Sequence, residues 1–152
     1  MTITKPAAVV TGASTGIGHA TTQVLIEKGW HVFAGVRKDE DAARLSQEFG
    51  DSVTPLKMEV TDSDSMNAAG EKGREALGGK TLQGLVCNAG VAVTGPILHI
   101  PVEEFAQQLD INVLGVVRTV QAFGPLLGAL LLTVLSELLR EFGDFRMLLY
   151  GA

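Results

Sequence analysis

Near the amino terminus the segment Thr11-Gly12-Ala13-Ser14-Thr15-Gly16-Ile17-Gly18 stands between an apolar run and a helix-forming one, which constrains the fold more than any other feature. The run Ala7–Thr11 precedes it as a strand candidate, and Ile17–Lys28 follows as a helix candidate. In such a turn each glycine has a physical reason. Gly12 lets the chain leave the strand sharply, Gly16 keeps a side chain out of the way of a pyrophosphate, and Gly18 lets the helix pack close to the sheet. The helix start then presents unpaired N–H groups and a partial positive charge to an anion. A flexible Gly/Ser loop without a ligand is the alternative, against which the flanking strand and helix both argue.

The same alternation continues along the chain. Strand candidates follow at His31–Val36, Val53–Met58 and Leu82–Cys87, each apolar on both faces, as in a sheet buried between helix layers. Helix candidates lie at Asp39–Phe49, Ser63–Leu77 and Val102–Phe123, and several start at capping-type residues such as Asp39 and Ser63. This order predicts an α/β fold: a doubly wound parallel sheet of Rossmann type, three-layered α/β/α. Its ligand crevice is expected beyond the carboxyl ends of the strands, where the winding reverses.

With 152 residues, 46% hydrophobic and 19% charged, the chain suits a single domain with a sizeable core. A net charge of -5 without any Lys/Arg run gives no surface for a phosphate backbone, which excludes nucleic acid as an expected partner. Cys87 has no second cysteine to pair with, and the opening MTITKPAAVV lacks the apolar core of a signal peptide, so a reducing, cytoplasmic setting is expected. The longest uncharged stretch, Thr119 to Ser136, contains Gln121, Gly124, Pro125 and Gly128, which argues against a membrane span. His19, His31 and His99 have no ligand-like spacing and read as ordinary surface or helix residues, so no metal is expected. Trp30 reads as packing a loop and Cys87 as a buried strand-end thiol.

The spacing Thr11-Gly12-x-x-x-Gly16-Ile17-Gly18 resembles the cofactor fingerprint of the short-chain dehydrogenases/reductases. The resemblance extends to Asn88-Ala89-Gly90, which in that family lines the cofactor cleft and supports the central sheet. It also extends to Asn112, in a long helix that in the family contributes an active-site asparagine to a proton-relay water. Three motifs in family order make chance similarity improbable. The resemblance implies a single dinucleotide-binding domain over 1–152, well matched to about 125, with 126–152 divergent and the sheet incomplete on its C-terminal side.

Cofactor choice turns on the end of the second strand. An NAD-selective site needs a carboxylate there for the ribose 2′-hydroxyl, and Val36 occupies that place. Arg37 offers a planar donor fork that suits a 2′-phosphate, and Lys38 a second cation, so NADP(H) is favoured over NAD(H). The alternative is that both merely solvate a helix start. By resemblance the adenine-holding place after the third strand falls on Glu59 and Val60, with Asp62 as a rival to the glutamate.

Beyond Pro125, the apolar Leu130–Leu135 ending at Ser136 fits the family's fifth strand, whose terminal serine hydrogen-bonds the substrate carbonyl. The rival is one amphipathic helix over Leu126–Phe142, since Leu127, Leu131, Leu135, Leu138 and Phe142 fall at helical spacing. Tyr150 in Tyr150-Gly151-Ala152 matches the first half of the family's Tyr-x-x-x-Lys motif and would be its acid/base tyrosine. The lysine would stand four positions later, past Ala152. The resemblance therefore implies an oxidoreductase acting on a small alcohol or carbonyl substrate, truncated within its motif, inactive alone, and oligomeric only in a full-length form. A binding module without turnover, and a membrane-associated protein using 129–142 as an interaction helix, are the alternatives.

Overall fold

A computed structural model describes residues 3–128 and shows four parallel strands in the order β3-β2-β1-β4. The strands are β1 (Ala7–Val10), β2 (His31–Val36), β3 (Val53–Lys57) and β4 (Gly84–Val86). The helices are α1 (Gly16–Glu27), α2 (Asp39–Phe49), α3 (Ser63–Leu77), α4 (Val102–Leu109) and α5 (Gly115–Phe123). After β3 the chain returns to the other side of β1, so the winding reverses between β1 and β4.

Two-sided burial explains the three layers. Strand side chains alternate in direction. Val10, Val32, Ala34 and Val36 pack with Leu45, Leu25 and Phe49, so α1 and α2 cover one face. Val9, Phe33 and Leu56 pack with Met66, Leu77 and Phe123, so α3 and α5 cover the other. Gly70 makes the second layer possible, since a Cβ there would stand 2.8 Å from the Ala122 carbonyl oxygen.

The expected elements shift at their ends for identifiable reasons. Thr11 and Met58 fall just past β1 and β3, although their N–H groups still donate to the Val86 and Val36 carbonyls at 3.0 and 2.9 Å. Leu82 lies outside β4 because its backbone pairs with Leu126–Gly128 instead, while the Gln83 side chain accepts the Ala7 N–H at 2.7 Å. Neither Asp39 nor Ser63 is a cap: the N-caps are Lys38 and Asp62, and Asp62 accepts hydrogen bonds from the Asp64 and Ser65 N–H groups. The predicted helix over Val102–Phe123 is interrupted by a π turn at Asp110–Leu114, which separates α4 from α5. Leu127 is extended and forms a parallel bridge to Leu82, so a helix continuous from Leu126 does not form there. The expected strand Leu130–Leu135 lies outside the described residues, as do Ser136 and Tyr150.

His31 departs from its expected surface or helix setting. It is buried at the start of β2, and its Nε2 lies 2.9 Å from the Thr54 hydroxyl. Burial, aided by Lys5 and opposed by a hydrogen bond with the Asp51 backbone, pushes its pKa below 6.5. The unfolded chain therefore binds a proton at higher pH than the folded one. Its stabilising contribution is complete above about pH 6.5 and is lost as the pH falls through the lower folded value. Chemical denaturation between pH 7 and 5 should show stability falling in wild type, with a flatter acid limb in His31→Gln; identical limbs would rule out this contribution.

Candidate functional site

A cleft of about 350 Å³ opens at the carboxyl ends of the strands, where the winding reverses. Its walls come from four segments far apart in sequence: Gly12–Ile17 after β1, Gly35–Arg37 at the end of β2, Met58 and Val60 after β3, and Asn88–Gly90 after β4. Among the expected cofactor residues, Gly12, Ser14, Thr15, Ile17, Arg37, Val60, Asn88, Ala89 and Gly90 line it directly. Thr11, Gly16, Gly18, Lys38 and Glu59 stand outside that lining, and the first three shape it from behind or from its rim.

Thr11 is almost wholly buried and acts as a double acceptor: its hydroxyl oxygen takes the N–H groups of Asn88 and Ala89, each at 3.0 Å. Asn88 returns the tie, its Nδ2 donating to the Thr11 and Gly12 carbonyls at 3.0 and 3.2 Å. The glycine loop and the β4 end are thus one hydrogen-bonded unit. Gly12 has φ +65, a conformation that favours glycine, and Gly18 presses so closely that an added Cβ would meet the Gly12 carbonyl oxygen at 2.1 Å. The glycine that lets α1 approach therefore does so against the loop itself. Gly16, with φ +56, faces open space.

Val36 is buried against the cleft, and the Arg37 side chain is 74% exposed at its rim, so the cation can meet a ligand. Lys38 is exposed at the start of α2. Glu59 stands 4.0 Å from Arg37, an exposed ion pair of small energy. One Glu59 oxygen also accepts from the Thr61 hydroxyl. The rival carboxylate, Asp62, is occupied by capping α3.

The loop after β3 is anchored by α5. Arg118 donates to the Val60 carbonyl at 3.2 Å and to the Asp110 carboxylate at 2.8 Å, tying the loop after β3 to the start of the π turn. Gly115 allows the approach, because a Cβ there would meet Val60 at 3.0 Å. In the π turn, Asn112 pairs with Val91 twice, accepting its N–H at 2.9 Å and donating to its carbonyl at 2.8 Å. This places Asn112 against Gly90 at the edge of the cleft.

Gly35, Val36 and Met58 also line the cleft; only Val36 had a cofactor argument in the sequence. Gly35 sits in the middle of an apolar run, and nothing local marks it as a wall residue. Cys87 stands just past β4 and is half-buried, not buried as expected; that partial burial raises the pKa of its thiol. Trp30 lies beside Gly84, at the opposite end of the sheet from the cleft.

The family model described as short chain dehydrogenase matches residues 6–130. An NADPH-dependent 3-dehydrocapnine reductase from Ornithobacterium rhinotracheale is 43% identical over 122 residues, which are 80% of this chain and 43% of the relative. Retinol dehydrogenase 7 from Rattus norvegicus is 32% identical over 118 residues, 77% of this chain and 37% of the relative. The chain thus matches about two fifths of these relatives' length. Among solved structures, NADPH-bound carbonyl reductase from chicken fatty liver superposes with TM-score 0.73 at 27% identity, covering 83% of this chain and 52% of that one. An alcohol dehydrogenase from the archaeon Thermococcus sibiricus, complexed with 5-hydroxy-NADP, gives 0.70 at 32%, covering 80% and 52%. Among the described residues no helix is long and apolar enough to cross a membrane.

Proposed function

As this chain belongs to the short-chain dehydrogenase family, we propose that it forms the cofactor-binding part of an NADP(H)-dependent oxidoreductase acting on an alcohol or carbonyl substrate. The observation that carries the cofactor choice is the β2 end, where a buried valine replaces a carboxylate and Arg37 stands exposed at the cleft rim. The NADPH-dependent relative is consistent with it.

A dinucleotide fits this cleft on structural grounds. The glycine loop leaves open the space at Gly16 that a pyrophosphate needs, and its backbone runs into the start of α1. Ser14 and Thr15 add hydroxyls, and Val60 gives an apolar wall for an adenine, with Glu59 beside it. Arg37 and Lys38 would hold a 2′-phosphate. Asn88, Ala89 and Gly90 would flank the middle of the cofactor.

When bound, the nicotinamide supplies the hydride acceptor or donor. The chain's own part is to position the substrate oxygen and to move a proton. Ser136 would hydrogen-bond the substrate oxygen, Tyr150 would exchange the proton with it, and Asn112 would support the relay behind them. A free phenol titrates near ~10, so Tyr150 needs a nearby cation to work at neutral pH. The family motif assigns that task to a lysine four positions on. A polypeptide confined to these 152 residues is accordingly expected to bind cofactor without turnover.

The test follows cofactor absorbance with panels of carbonyls plus NADPH and alcohols plus NADP. A polypeptide of these 152 residues should show no turnover, and one continuing with a lysine four positions after Tyr150 should show it. Equal rates from both would contradict the assigned role of the lysine, and no turnover from the longer form on any substrate would favour a binding module.

A further inference from the structure

Arg44 lies on α2, outside the cleft lining, yet its guanidinium reaches the glycine loop. Its Nη2 donates to the Ser14 carbonyl at 2.5 Å and to Asp41 at 3.1 Å, while Nη1 lies 3.8 Å from Glu48. Glu48 in turn meets the His19 ring on α1 at 2.9 Å. Asp41 and Glu48 thus flank the arginine on its own helix, and a chain of contacts joins α1, α2 and the loop.

We propose that Arg44 is a positioning residue for the diphosphate-binding loop: it fixes the Ser14–Thr15 peptide so that the Thr15 N–H turns away from α2 and is available to a phosphate. The described peptides contain no cis bond, and in a trans peptide the C=O and N–H point to opposite sides. A carbonyl held by a guanidinium on the α2 side therefore directs the Thr15 N–H to the other side. The cation also polarises that peptide, which strengthens the N–H as a donor. On the remaining loop backbone, Ala13 is tied to Gly35 at 2.9 Å and the Thr15 carbonyl accepts from His19 at 3.3 Å, so the Ser14 carbonyl is where α2 takes hold. Arg44 would not touch the cofactor. Its effect should be felt equally by NADPH and NADH, which share the diphosphate.

Arg44 sets the loop's own order, and its bearing on affinity rests on the dinucleotide reading above. Hydrogen exchange on the cofactor-free protein separates the two. In Arg44→Ala the loop amides from Gly12 to Gly16 should exchange about tenfold faster, with amides of β1 and β2 unchanged. Arg44→Lys, which keeps one donor, should fall between. With cofactor, Arg44→Ala should raise the Kd for NADPH and NADH by a common factor of about five to ten. Unchanged loop exchange would overturn the proposal, as would a loss confined to NADPH, which would make Arg44 a ligand of the 2′-phosphate. Faster loop exchange in a protein that binds neither cofactor would sustain the brace and refute the dinucleotide reading.

Discussion

Gly18→Ala should cripple both the fold around the cleft and the binding of any dinucleotide, although it adds one methyl group. That methyl would sit 2.1 Å from the Gly12 carbonyl oxygen, 2.9 Å from the Gly12 carbonyl carbon and 2.5 Å from Asn88 Nδ2. Two of the three obstacles are backbone, so no rotamer change relieves the clash. Either α1 must move off the loop or the Gly12–Asn88 tie must break, and each releases the unit that shapes the cleft. Overpacking of this kind costs about 3 kcal/mol, which lowers Tm by roughly 6–12 °C in a domain of this size. Gly16→Ala is the informative control. Its Cβ would meet nothing within 4 Å, leaving only the strain of φ +56, worth about 1 kcal/mol. Thermal melting of the two variants should rank Gly18→Ala well below Gly16→Ala; equal losses would mean that backbone strain, and not the helix–loop contact, governs this turn.

The second large effect concerns discrimination between cofactors. In Arg37→Ala the affinity for NADPH should fall on the order of 30-fold, or about 2 kcal/mol. The affinity for NADH should change less than about threefold, since nothing in NADH needs that cation. The neighbouring Glu59 does not neutralise Arg37 in advance, because at 4.0 Å and with both side chains exposed the pair is weak. Raising the ionic strength should erode NADPH binding more than NADH binding in wild type, and by a smaller margin in the variant, where Lys38 remains. Parallel isothermal titrations measure this directly. A matching loss for both cofactors would place Arg37 on the diphosphate or in the fold, and no loss for either would leave it a solvated residue at the start of α2.

Much of this is legible in the residues alone. The strand β2 and the helices α2 and α3 lie where apolar runs and helix periodicity put them, because each is long enough for its period to show. The glycine loop and Asn88–Gly90 were legible as motifs, and the fold brings them to one cleft. What stayed hidden depends on distance in sequence. The start of the short β4 is hidden because Leu82 is as apolar as a strand residue yet pairs with a partner 45 positions away. The π turn was invisible because the widening leaves the apolar pattern of α4 and α5 nearly continuous. Arg44 reads as an ordinary exposed helix arginine. Only the direction in which α2 faces the loop, thirty positions earlier in the chain, gives it a partner. Ser136 and Tyr150 lie outside the described residues, so their roles rest on the family motif.

If this cleft selects a 2′-phosphorylated nicotinamide dinucleotide, as proposed, a fluorescence titration of the wild-type chain with NADPH and, in parallel, NADH will read the selection directly. Tighter binding of NADPH by at least about tenfold, reduced to near parity in Arg37→Ala, is the predicted result. Equal affinity in wild type, or preference for NADH, would contradict it.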